Sequence, residues 1–189
     1  MPLSDTQVGR AGEQLLAAIA SLTSDGELEF YRPETDDDHR DLEVGRKGRL
    51  GAAYVQVKSR TAVGPDGYLR VHVGFPDGTP LNSPGFIYAV LLLDRTSIVA
   101  AWIIPSPEFN HLAEHSTTEA GALQLNFYAR PAGEDRWSSR RIGAAETGPV
   151  LLELINAVPE AALHPHHPDS PARNRRNPSQ ASTNIQASS

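Results

Sequence analysis

The chain has 189 residues, 39% of them hydrophobic and 21% charged, with no cysteine and a formal charge of −6. That length suits one domain with a substantial core, and the lack of cysteine excludes disulfides, thiolate metal sites and cysteine nucleophiles and is compatible with a cytoplasmic location. The acidic balance argues against binding nucleic acid by bulk attraction, no apolar run reaches the about 18 residues of a membrane span, and the N-terminus shows no basic-then-apolar targeting signal.

Residues 10–23, RAGEQLLAAIASLT, set Leu15, Leu16, Ile19 and Leu22 at helical spacing, and Ser24-Asp25-Gly26 ends the run. A short strand is expected near Leu28–Tyr31. An acidic, turn-prone stretch containing Asp36, Asp37 and Asp38 follows, and then residues 41–59 read as a hairpin with the glycine-rich basic tip GRKGRLG. The strand YLRVHVGF (68–75) leads into a Pro/Gly loop. FIYAVLLL (86–93) and SIVAAWII (97–104) do not alternate cleanly, which places them in the middle of a sheet covered on both faces. A short helix over 108–115, a polar hairpin over 123–142 and a helix over 149–158 complete the body.

Helices segregated around a mainly antiparallel or mixed sheet make an α+β fold, an α/β sandwich. Residues 1–164 are expected to form one domain and 165–189 a disordered tail, because the latter have almost no large apolar side chains to offset the entropy of ordering. Three of the 17 basic and one of the 23 acidic side chains fall in that tail, leaving 14 and 22 in the body. The body is thus the more acidic part.

The hairpin carries the candidate chemistry. In AYVQVKS, Tyr54, Gln56 and Lys58 share one face of a strand while Val55 and Val57 take the other; on the partner strand Asp41 and Glu43 share a face opposite to Leu42 and Val44. Folding about Gly48 sets the apolar pairs together and brings Asp41 beside Gln56 and Lys58. Glu13, on the small-residue flank of the first helix, offers a second carboxylate facing the sheet. A divalent cation between Glu13 and Asp41, with Gln56 as a neutral oxygen ligand and Lys58 close by, satisfies all four groups, and Mg²⁺ prefers such hard oxygens. The bland reading is a solvated polar face on an edge hairpin, with Glu43 a strand residue in water and the three aspartates in a turn.

A helix bearing Glu13, then Asp41-Leu-Glu-Val, a glycine-containing turn and Tyr-Val-Gln-Val-Lys-Ser resembles the PD-(D/E)XK nuclease superfamily, the restriction-endonuclease-like fold, over roughly Gly9 to Arg60. It looks most like the small prokaryotic branch in which Gln replaces the acid of the signature. The resemblance implies a mixed sheet flanked by helices and a Mg²⁺- or Mn²⁺-dependent endonuclease acting on DNA in preference to RNA. By the same resemblance, Glu13, Asp41, Gln56 and the carbonyl of Val57 ligate the metal and Lys58 is the signature lysine.

Arg46, Lys47, Arg49 and Arg60 are the expected nucleic-acid contacts, and a homodimer is compatible with this scheme. Two features depart from the family pattern. Gln56 is a weaker ligand than a carboxylate, and a strand with a Pro-rich loop stands where the family usually has a helix between core strands. The alternative is a non-catalytic module that keeps the fold within a defence or mobile-element system.

A second enzyme reading starts from His111-Leu-Ala-Glu114-His115, the H-x-x-E-H order of inverted zinc proteases, with Glu146 or Glu153 as a third ligand. No P-loop pattern exists, the His164-Pro-His-His run belongs with the tail, and Trp102 and Trp137 are expected to pack against the sheet.

Overall fold

The computed structural model describes residues 3–33, 40–76 and 78–165. The aspartates at 36–38 and the segment from 166 onward lie outside the described residues. Helix α1 (Asp5–Thr23) begins earlier than its apolar spacing suggests. The Ser4 hydroxyl accepts from the Gln7 N–H at 3.3 Å, and the Gln7 side chain accepts from the Ser4 N–H at 2.9 Å. This reciprocal cap satisfies two otherwise orphaned donors. Val8, Leu16 and Ala20 form its buried stripe, and burial of Leu16 alone contributes about 2 kcal/mol.

Strands β1 (Leu28–Tyr31), β2 (Leu42–Arg46), β3 (Gly51–Arg60), β5 (Phe86–Asp94), β6 (Ser97–Pro105) and β9 (Arg141–Ile142) lie in that order in one mixed sheet. All neighbours are antiparallel except β3 and β5, and β10 (His164–Pro165) pairs with the start of β3. Between the parallel pair the chain makes its crossover through β4 (Leu69–Phe75), not a helix. β4 joins β8 (Leu123–Ala129) and β7 (Glu114–Thr117) in a second, antiparallel sheet.

Three layers result. α1 and α3 (Thr147–Ala157) cover one face of the main sheet over Val55, Val57, Ile87, Ala89, Leu91 and Ile103. The second sheet and α2 (Ser106–Leu112) cover the other face over Phe86, Tyr88, Val90, Trp102 and Ile104. Double coverage explains why β5 and β6 read as continuous apolar runs. β4 alternates buried and exposed residues because only its inner face is covered. Trp102 and Trp137 are both buried, as expected.

Three expectations are corrected. The helix expected over 108–115 stops at Leu112, because Ala113 is extended and residues 114–117 leave to pair with β8. The hairpin expected over 123–142 does not form. β8 pairs with β4 and β7, while Arg141–Ile142 cross to the edge of β6. Nor is the Gln56 face of β3 simply polar and open, since Tyr54 packs against the second apolar cluster and Gln56 is only 1% exposed.

Candidate active site

Asp41 is placed by an irregularity. Its N–H donates to the Val55 carbonyl at 3.1 Å, and Leu42 is already paired in register with Val55. Two consecutive residues thus oppose one, as in a β-bulge, and a bulge re-aims a side chain. The Asp41 carboxylate accepts from the Val57 N–H through Oδ2 at 2.6 Å. In a strand the N–H and C=O of one residue point to the same side, so the Val57 carbonyl faces the same edge, just past the start of β2. Asp41 and the Val57 carbonyl are therefore neighbours at one end of the main sheet.

Gln56 sits beside Tyr88 in the parallel register. Its Oε1 is buried and accepts no hydrogen bond among the described residues. An unsatisfied buried acceptor costs about 1–3 kcal/mol. Burial pushes the Tyr88 hydroxyl up from the ordinary phenol range, which keeps it neutral. Lys58 continues the same face half-buried, and no carboxylate pairs with it among the described residues.

Glu13 reaches this end of the sheet from the helix layer. Gly12 lies directly on Ser59 of β3, and Glu13 shares a small cavity of about 170 Å³ with Phe30, Arg32 and Leu42. Its carboxylate accepts from the Arg32 guanidinium at 2.7 Å. Among the described residues no group of three or more His, Asp or Glu side chains is poised to hold a metal. The oxygens that meet at the sheet end are the Asp41 carboxylate and the Val57 carbonyl, while the Gln56 amide lies beside Tyr88 on the face covered by the second sheet.

No protein-family model matches the sequence, and no curated protein matches it. Among solved structures the chain is similar to the bacterial homing endonuclease I-Ssp6803I, with a TM-score of 0.56 at 15% identity, over 81% of this chain and 93% of that one. The fold is restriction-endonuclease-like. At this identity the likeness carries the fold alone. Asp41 precedes β2, and Gln56, Val57 and Lys58 lie in the second half of β3, at the same end of this sheet.

The basic tip of that hairpin lies at the opposite end. Arg49 donates to the carbonyls of Ile155 and Val158 at 2.6 and 2.9 Å, and Arg46 donates to Asn156 Oδ1 at 2.7 Å. The Ile155 and Val158 carbonyls and the Asn156 side chain lie at the C-terminus of α3, where cations are favourable. Lys47 is exposed near Gly26, and Arg60 continues β3 past Lys58. Two cations not singled out in the sequence stand at the candidate site. Arg32 holds Glu13, and the guanidinium of Arg40, next to Asp41, stacks 4.3 Å from the centre of the Tyr54 ring. Arg49→Met is expected to lower stability by about 1–3 kcal/mol in a denaturant titration while leaving nucleic-acid affinity unchanged.

The H-x-x-E-H geometry is absent. His111 lies in the last turn of α2, whereas Glu114 and His115 are on β7, so the two histidines do not share a helix face. His115 Nε2 bonds to the Asn110 carbonyl at 2.9 Å, Glu114 pairs with Arg136 at 2.9 Å, and Glu146 accepts from the Gly143 N–H.

Proposed function

We propose that the protein is a divalent-metal-dependent nuclease that hydrolyses phosphodiesters in DNA at the sheet end marked by Asp41, Gln56, Val57 and Lys58. One observation carries the reading. The Asp41 carboxylate is docked on the Val57 backbone, the preceding residue Gln56 carries a buried oxygen that lacks a donor among the described residues, and Lys58, on the same face as Gln56, pairs with no carboxylate among them.

Carboxylate, amide and carbonyl oxygens are the donors that Mg²⁺ and Mn²⁺ prefer, and an orphaned buried acceptor is what a cation relieves. Asp41, Gln56 Oε1 and the Val57 carbonyl would hold the ion. When bound, such an ion polarises a phosphoryl oxygen and lowers the pKa of water. Lys58 supplies positive charge where charge develops on the phosphate, at a position already half removed from bulk water. The solved neighbour is a homing endonuclease, which supports nucleic acid as the partner.

Two observations favour a second reading, a module that keeps the fold without cutting. Glu13 is taken up by Arg32, and no cluster of three acids or histidines exists among the described residues. One assay separates the two. The nuclease cleaves plasmid, linear or branched DNA in Mg²⁺ or Mn²⁺ and stops with chelator, and Lys58→Ala lowers the rate on the order of 10²-fold or more. Binding to the same DNAs in Ca²⁺ with no cutting in any divalent ion establishes the module instead. Cutting that survives Lys58→Ala at full rate overturns the assignment of this site.

A further inference from the structure

The ion pair that occupies Glu13 is asymmetric. The Glu13 side chain is 18% exposed, set against the sheet by the Gly12–Ser59 contact, whereas Arg32 is 53% exposed and follows the end of edge strand β1. The carboxylate is the enclosed partner and the guanidinium the exposed one. A guanidinium and a divalent cation cannot both take full advantage of one carboxylate, because the two positive charges repel. Arg32 also stands at the same end of the sheet as Arg40, Lys58 and Arg60, in a body whose charge is otherwise strongly acidic.

We propose that Arg32 is a phosphate-binding residue held in reserve on Glu13. In the free protein its guanidinium neutralises Glu13 and weakens the cation site. When a nucleic-acid backbone reaches this end of the sheet, Arg32 transfers to a phosphate, for which its planar fork is suited, and Glu13 is released toward the cation. Substrate binding and metal binding thereby become positively coupled, each strengthening the other by the same factor. This rests on the metal-dependent reading above and adds to it a residue that links the two ligands.

The test uses the full chain and two readouts that need no turnover, Mn²⁺ binding followed by electron paramagnetic resonance without DNA, and binding of a labelled duplex oligonucleotide in Ca²⁺. Arg32→Ala is expected to bind Mn²⁺ about tenfold tighter and the duplex about tenfold weaker, the scale of adding or removing one nearby charge. Arg32→Lys should fall between on the duplex, since it keeps the charge and loses the fork. Adding Glu13→Gln to Arg32→Ala should erase the gain in Mn²⁺ affinity.

Unchanged Mn²⁺ affinity in Arg32→Ala, or tighter Mn²⁺ with unchanged duplex affinity, overturns the reserve role. Circular dichroism and thermal melts show whether the variant is folded, and Arg32→Gln replaces it if Ala is not tolerated. Asp41→Asn tells this failure from that of the underlying reading. If Asp41→Asn loses Mn²⁺ while Arg32→Ala changes nothing, only the role of Arg32 falls; if neither variant alters Mn²⁺ binding, the metal site itself falls and this proposal with it.

Discussion

Gly12→Ala is expected to destabilise the protein by about 3 kcal/mol or more, at the upper end for added bulk in a packed interior. Alanine normally improves a helix interior by about 1 kcal/mol over glycine, so the sign of the result is diagnostic. A Cβ at position 12 would overlap Ser59 Oγ, far inside van der Waals contact, and would lie 2.8 Å from Ser59 Cβ. Rotating the serine hydroxyl away removes the first clash and leaves the second. Ser59 is buried on a strand held by β5 at that position, so the helix must lift. Ser59→Gly is therefore expected to restore most of the stability lost in Gly12→Ala, as read from urea midpoints of the single and double variants. A Gly12→Ala protein as stable as the parent shows that the helix is not seated on β3 as described.

The same contact matters for the site, because Glu13 is carried by the turn that Gly12 presses onto the sheet. A lifted α1 moves the acid away from Leu42, at the start of β2. The expected signature is weaker metal binding in folded Gly12→Ala molecules, recovered with Ser59→Gly. At the other end of the helix Gly148 makes a second close approach, with its N–H donating to Thr23 Oγ1 at 3.0 Å. Two glycines from different elements thus fix the height and the tilt of α1.

Much of this arrangement was legible in the sequence because it depends on period. Leu42 and Val44 face the helices beside Val55 and Ala53, as alternation requires, and the β5 and β6 runs are covered on both faces. The start of α1 was also written locally, in Ser4-Asp-Thr-Gln7, a capping box that precedes the apolar spacing. What period does not encode is which surface covers a strand. Nothing in AYVQVKS says that a three-stranded sheet assembled from residues 69–75, 114–117 and 123–129 will close over the Gln56 face.

The remaining differences are tertiary in origin. His111 to His115 carries helical spacing, yet pairing of β7 with β8 draws residues 114–117 out of the helix. Arg46 and Arg49 form a basic cluster in the chain, but they are drawn to the carbonyl end of α3, more than a hundred residues away. Arg32 and Arg40 flank an acidic run in the sequence. Their partners, Glu13 and the Tyr54 ring, are 19 and 14 positions distant, and neither pairing follows from local spacing.

Asp41 is expected to separate the structural from the chemical demands on this site, because its two conservative replacements should part company. Asp41→Asn keeps an oxygen that accepts from the Val57 N–H, so its melting behaviour should stay near that of the parent. It removes the negative charge, and cleavage should fall on the order of 10³-fold, the scale for losing a group that stabilises transition-state charge. Asp41→Ala removes both functions. The Val57 N–H is then left without its acceptor at the bulge, which costs about 1–3 kcal/mol on top of the lost activity. A chemical-denaturation series read beside a cleavage series in Mg²⁺ checks both. If Asp41→Asn cuts at the parental rate, the carboxylate is only a strap for β2 on β3 and the chemistry lies elsewhere; if Asn and Ala are equally inactive but differ in stability by the cost of one hydrogen bond, the same side chain both holds the end of the sheet and serves the reaction.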